Sequence, residues 1–409
     1  MIKRDQNRIV FQDAFYLGDL PASMAALHQA MNAGYQDLVL DFSSCDAAFA
    51  PPVLALCAQV MKLRHAQVDF ELVLPSTAAL ATLFRNANWA HFLAPDQNPP
   101  SQFKGFTRIP ATQFTNSAEQ SQAVARIVNV MLGAIPDLDR RELSALEWSV
   151  HEITDNVLVH AQSPIGGLIQ VSRFERREKR IEYIVADAGI GIPKTLRQSH
   201  PELSSDADAL ERAIQQGVTR DKAIGQGNGL FGSYKVCSHS RGSFYLESGR
   251  GKLTFNEKGF RVATENVPFE GTLVAAQINF SDPQLLAEAL QFGERPHVIV
   301  DFVELNYEQH DREEVWVILK KETTSFGSRI AGTPIRNKLV NLVRWCPGQR
   351  IIIDFDGIHL ISSSFADEVM GKLFKELGPM TFAQRLEFKN VEPTVRQLLD
   401  KAITQRMSG

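Results

Sequence analysis

The segment Gln36-Asp-Leu-Val-Leu-Asp-Phe42 returns 313 positions later as Gln349-Arg-Ile-Ile-Ile-Asp-Phe355. Each is a run of branched aliphatic residues closed by an aspartate and a phenylalanine, the pattern of a buried strand. Helical periods starting near Pro52 and Phe365 keep the same offset, and the later strands drift only slightly. Two copies at opposite ends of a chain do not make a solenoid; they imply one duplicated module flanking a different one.

Around both copies strand and helix signals alternate, which predicts small α/β layers. The N-terminal run reads as a strand over 8–12, a helix Pro21–Asn32, a strand Asp37–Phe42 and a helix Pro52–His65. A strand Val68–Leu74 and a helix from a Ser76 cap to Asn86 follow. The C-terminal run reads strand Glu314–Lys320, helix Pro334–Trp345, strand Arg350–Phe355, helix Phe365–Leu377, strand Arg385–Lys389 and helix Glu392–Arg406. The polar, proline-rich stretch 95–102 marks a boundary. The expected division is therefore 1–100, 101–280, a connector over 281–319 (helix Pro283–Phe292, strand His297–Phe302) and 320–409.

The middle part carries three short patterns: Glu152-x-x-Asp155-Asn156-x-x-x-His160, Asp187-Ala-Gly189-Ile-Gly191, and Gly225-Gln-Gly227-Asn-Gly229. Residues 141–160 have a helical period, so Glu152, Asn156 and His160, four apart, share one face. A carboxylate and an amide oxygen one turn apart suit Mg²⁺, which keeps waters and borrows phosphate oxygens. The same glutamate could instead take a proton from an attacking water or hydroxyl, and a merely wet polar face would read alike. Asp187 closes the strand run Arg180–Ala186 at a tight turn, where a carboxylate can accept from an exocyclic amine. The third pattern is a glycine-rich loop opening a helix, a cradle for phosphate oxygens. Between the last two, residues 192–224 read as a loop with a helix capped by Ser205 or Asp206, followed by Arg220 and Lys222.

The order and spacing of these patterns resemble the GHKL ATPase superfamily, which includes gyrase B, the histidine-kinase catalytic domains and the anti-sigma-factor kinases. The resemblance, over roughly residues 110–280, implies a central α/β sandwich with a mixed sheet that binds ATP and Mg²⁺. It makes Glu152 the catalytic base and Asn156 the metal ligand. Asp187, Gly189 and Gly191 become the adenine-side residues, Gly225, Gly227 and Gly229 the lid glycines, and Thr272, in Gly271-Thr272-Leu, the residue of the final motif. A basic lid residue, Arg220 or Lys222, would meet the γ-phosphate.

The duplicated module resembles the STAS fold of anti-sigma-factor antagonists, more clearly at the C-terminus. There a serine in the loop after the strand is the family's phosphorylation site, and Ser363 is the positional match, between Ser362 and Ser364. The loop reads Ser-Ser-Ser-Phe-Ala-Asp where the family has an aspartate and Ser-Gly-Leu, and a serine cluster also suits a plain helix cap. The N-terminal copy reads Ala48-Phe-Ala-Pro-Pro52, with no hydroxyl to modify. It is a degenerate copy.

The expected fold is thus a multidomain α/β chain with STAS-like modules on both sides of an ATPase-like centre. Its expected function is a Mg-ATP-binding regulatory protein of partner-switching type, hydrolysing ATP or phosphorylating a serine on a STAS-type domain; the alternative is an ATP-gated interaction switch without turnover. A net charge of −4 offers no strong field to nucleic acid or an anionic membrane. Four scattered cysteines, no apolar leader and no 18-residue apolar run suggest a cytoplasmic protein. The expected partners are ATP and a regulatory protein, and the resemblance allows a homodimer.

Overall fold

The computed structural model describes residues 1–101, 109–175, 180–215, 217–218, 229–280, 291–292, 295–296, 303, 306–309 and 314–407. Gly225, Gly227, Arg220, Lys222, the strand expected over 297–302 and most of the helix expected from Pro283 lie outside these residues. Residues 1–124 and 148–297 form one compact unit, and residues 125–147 and 298–409 form a second.

In the first unit, β1 (Ile2–Asp5) and β2 (Arg8–Phe11) pair as a hairpin. β3 (Asp13–Phe15) leads to α1 (Leu20–Asn32), and β4 (Asp37–Asp41) lies parallel to β2. β5 (Cys45–Ala48) pairs with β3, α2 (Ala50–His65) follows, and β6 (Asp69–Val73) completes a sheet of order β1-β2-β4-β6. The next helices are α3 (Ala78–Asn86) and α4 (Trp89–Leu93). Ser76 does not cap α3: its Oγ donates to the Ser43 carbonyl at 2.7 Å, and Thr77 takes the cap position. Beyond Pro95, the chain stays attached to this layer, because Ser101 donates from its backbone to Asn88 Oδ1 and from its hydroxyl to Asn86.

Next come β7 (Ile109–Phe114), α5 (Ser117–Ala134), α6 (Arg140–Asn156), β8 (Gly167–Glu175) and β9 (Arg180–Asp187). α7 (Ile192–Arg197), α8 (Asp206–Ala213), α9 (Gly229–His239), β10 (Ser243–Asn256) and β11 (Gly259–Asn279) follow. The strands form a wholly antiparallel sheet of order β10-β11-β9-β8-β7, not the mixed sheet expected, because each strand is hydrogen-bonded only to antiparallel neighbours. Strand alternation sorts its residues onto two faces. Leu168, Ile184, Ala186, Leu273 and Ala275 join the core of the N-terminal layer, where α2 packs on β8, β9 and β11. Trp89 Nε1 donates to Gln170 Oε1 across this interface at 2.7 Å. On the other face, the Tyr183 hydroxyl meets Ser149 Oγ of α6 at 2.6 Å.

Being covered on both sides explains why β9 is apolar without alternation. It also explains α2, whose residues Ala50–Val60 are all buried: a helix between two layers has no wet face. Two short strands, β12 (Gln291–Phe292) and β13 (Arg295–Pro296), pair antiparallel, so residues 291–292 are not the helix end expected there.

The second unit contains β14 (Glu308–Gln309), β15 (Glu314–Ile318), α10 (Leu319–Glu322), α11 (Arg329–Trp345) and β16 (Arg350–Asp354). α12 (Ser363–Ala366) passes through a wide turn at Asp367–Gly371 into α13 (Lys372–Leu377). α14 (Pro379–Arg385), β17 (Leu386–Lys389) and α15 (Pro393–Met407) complete it. α11 starts before the expected Pro334, because Ser328 caps it by accepting from Ala331 N at 3.2 Å.

The sheet order β14-β15-β16-β17 repeats the N-terminal one, an antiparallel pair followed by two parallel additions. The duplication reaches single hydrogen bonds. Ser43 N donates to Asp41 Oδ1 at 2.9 Å and Asp356 N to Asp354 Oδ1 at 3.0 Å. Cys45 N bonds Phe42 O as Ile358 N bonds Phe355 O, and Phe49 N bonds Phe15 O as Ser362 N bonds Phe326 O.

Residues 125–147, the ends of α5 and α6 with the turn between them, are held to α11 inside the second unit. Asn341 Nδ2 donates to the carbonyls of Leu132 (3.0 Å) and Ile135 (2.9 Å), and Trp345 Nε1 donates to Leu138 (2.9 Å). Such bonds satisfy carbonyls that a helix end leaves open.

Candidate functional site

α6 carries Glu152 and Asn156 one turn apart, as its period predicts, and α9 opens at Gly229 directly against them. A Cβ on Gly229 would stand 2.5 Å from Glu152 Oε2 and 3.3 Å from Asn156 Nδ2. A glycine here lets the α9 backbone lie against the Glu152 carboxylate in its present rotamer. Burial, with the nearby Asp155 charge adding, pushes the Glu152 carboxyl up to about 7.

After Asn156 the helix widens into a π turn, Val157–Ala161. This turn carries His160, half-buried like Glu152 and Asn156. It also aims the Ala161 carbonyl at the second pattern, where it accepts from Ile190 N at 2.8 Å. A Cβ on Gly189 would lie 2.0 Å from that carbonyl oxygen. The first glycine of the second pattern is thus explained by this close approach.

Asp187, at the end of β9, is 2% exposed. Its burial pushes the carboxyl up to about 7, even though it accepts from Gly189 N (2.8 Å) and from Thr272, with Lys62 adding a weaker favourable charge. Gly191 adopts φ +79° and begins α7. The structure thus brings Glu152, Asn156 and Gly229 to one point, and Asp187, Gly189 and Thr272 to another, joined through the Ala161 turn.

The sequence patterns led to the expectation of a nucleotide with a divalent cation at these residues. A buried carboxylate at a strand end can take an amine donor, and a carboxylate–amide pair suits a cation that also uses phosphate oxygens. Among the described residues no group of three or more His, Cys, Asp or Glu side chains could hold a metal, so such a cation would depend on the phosphates.

Ser363 lies in the second unit. Ser362, not Ser363, is the cap of α12, accepting from Phe365 N at 3.0 Å and lying 3.0 Å from Ser364 Oγ. Ser363 is left exposed at the first helical position. Its counterpart in the N-terminal copy is Ala50, buried on α2.

Residues 331–396 match the model of a STAS-like domain of unknown function (DUF4325). The chain carries a C-terminal STAS-like domain. The matched residues run from α11 through β16 and β17 to the start of α15 and make up well under half the chain. No curated protein matches the chain. Among the described residues no helix is long and apolar enough to cross a membrane. All four cysteines are buried thiols outside any disulfide.

Two groups near Asp187 carry no motif of their own. Ser248 Oγ donates to the Gly271 carbonyl at 2.6 Å and accepts from Ile192 N at 2.9 Å, tying β10, β11 and α7 together. Lys62, on α2, pairs with Glu270 at 2.6 Å beside the same turn. Both are placed by strand pairing and layer packing between residues distant in the chain, so no local pattern announces them.

Proposed function

We propose that this chain is a Mg-ATP-binding regulatory protein of partner-switching type, with a GHKL-like central module between a degenerate and an intact STAS-like module. It hydrolyses ATP or phosphorylates a serine on a STAS-type domain. The observation that supports this most is the meeting of Glu152, Asn156 and Gly229 at one point, linked by the Ala161 turn to a buried Asp187. In this reading Asp187 accepts from the adenine amine, with Thr272 and Gly189 holding its carboxyl in place. Gly191 turns the chain on the adenine side, and Gly225, Gly227 and Gly229 are assigned to the loop that closes over the phosphates. Asn156 would hold Mg²⁺, which when bound neutralises charge on the phosphate oxygens. Glu152 takes the proton of a water or serine hydroxyl as that oxygen bonds to the γ-phosphorus and the bond to ADP breaks. A base whose pKa lies near 7 is well matched to that task.

A second reading, an ATP-gated interaction switch without turnover, is favoured by α6. Residues 148–156 of this helix carry Glu152 and Asn156 in the first unit, while residues 140–147 belong to the second. ATP would act by binding two arrangements of the chain with different affinity. The partner in both readings is a STAS-type or other regulatory protein or a second copy of this chain, in the cytoplasm.

The test is a single-turnover incubation with γ-labelled ATP and Mg²⁺, following free phosphate and protein-bound label in the parent chain, Glu152→Ala and Ser363→Ala. Label lost in both variants means a kinase acting on its own STAS-like domain. Free phosphate lost only in Glu152→Ala means an ATPase. ATP bound without either signal selects the switch, and no ATP binding overturns both readings.

A further inference from the structure

A cavity of about 420 Å³ opens in the second unit, lined by Arg329, Ser363, Asp367, Lys401, Gln405 and Arg406 among others. Three of these side chains are cations and one is an anion. Asp367 is committed: Arg406 Nε and Nη2 clamp its two oxygens at 2.8 and 2.9 Å, and Arg329 Nη2 reaches it at 3.0 Å. That arrangement holds both guanidinium groups at the cavity and leaves a surplus of two positive charges. Lys401 is exposed and has no ion-pair partner among the described residues. Ser363 lines the same space. At the aligned positions the N-terminal copy has Ala50 for Ser363 and Leu54 for Asp367, both buried, so the serine and the clamping aspartate belong to the C-terminal copy alone.

The geometry points to a phosphoryl-group site: Lys401 and the free edges of Arg329 and Arg406 bind a phosphate dianion, with Asp367 keeping the arginines in place. Planar guanidinium groups and an ammonium together suit the oxygens of phosphate, and the volume is that of a small-ligand site. The phosphate can come from a free phosphate ester or from modification of Ser363. Only the second source rests on the function proposed above.

Inorganic phosphate is titrated into the full chain at low ionic strength by calorimetry. Saturable binding is expected, weakened about tenfold in Lys401→Ala and unchanged in Lys375→Ala, an exposed lysine outside the cavity. A chain carrying phosphoserine at 363 separates the sources. If it melts higher than the parent and no longer takes up phosphate, the occupant is the modified serine; if phosphate still binds, the occupant is a free ester. The site is overturned if phosphate binds equally to the parent and Lys401→Ala. It is also overturned if the parent shows no saturable binding and phosphoserine at 363 leaves the melting temperature unchanged.

Discussion

Gly229 lies against Glu152 so closely that an added Cβ would meet the carboxylate oxygen at 2.5 Å. That oxygen is the far end of a flexible side chain and can swing aside. Gly229→Ala is therefore expected to cost little stability, under about 1 kcal/mol. It should still displace the proposed base and lower phosphate release by about a hundredfold or more. Thermal melts and γ-labelled ATP turnover check the two halves; unaltered turnover would separate Gly229 from the reaction.

Gly189 is a harder case. Its missing side chain is replaced by a backbone carbonyl, Ala161, at 2.0 Å from the Cβ position, and a carbonyl in a helical turn cannot rotate away. Gly189→Ala should destabilise the protein by roughly 1–3 kcal/mol through overpacking and weaken nucleotide binding. Urea denaturation with a parallel binding titration would detect both.

Glu152 and Asp187 are both raised to about 7 by burial. Between about pH 4 and 7 the folded protein therefore keeps protons that the unfolded chain has lost. The contribution of these two groups to the stability of the ligand-free protein should be greatest near pH 4. It should fall as pH rises to about 7 and then level off. Glu152→Gln should flatten its share of that slope, raise stability at pH 8 and abolish turnover while ATP still binds. Denaturation midpoints at several pH values would show it.

Lys338, buried on α11, is paired with Glu322 and bonds Asn129 Oδ1 at 2.6 Å, to which the Tyr307 hydroxyl also donates. Lys338→Met leaves Glu322 buried without its cation and should cost about 3–5 kcal/mol. Adding Glu322→Leu should recover most of that loss. A double-mutant cycle by urea denaturation measures the coupling; additive losses would contradict the pairing.

Much of this molecule could be read along the chain because its cause is local. The strands ending at Asp41 and Asp354 announce themselves by branched residues, and both aspartates bond the backbone two residues on. The glycines at 189, 191 and 229 and the carboxylates at 152 and 187 were singled out by the family resemblance that their order and spacing carry. What that reading missed were packing consequences. Ser76 gave way to a bond with Ser43, α11 began at the Ser328 cap instead of Pro334, and the helix of Glu152 widened into a π turn from Val157.

The sequence by itself determined where strands and helices recur and that the two ends are copies, because periodicity and strand-end aspartates act over a few residues. Only the tertiary structure decided what each copy is for in the fold. The N-terminal copy buries the Ala50–Val60 face of α2 between its own sheet and the five-stranded one. At the aligned positions the C-terminal copy keeps Ser363 and Asp367 beside an open cavity. That difference depends on which surfaces meet across long loops of chain, and burial of a face against a distant layer leaves only an apolar run in the sequence, without naming the layer that covers it.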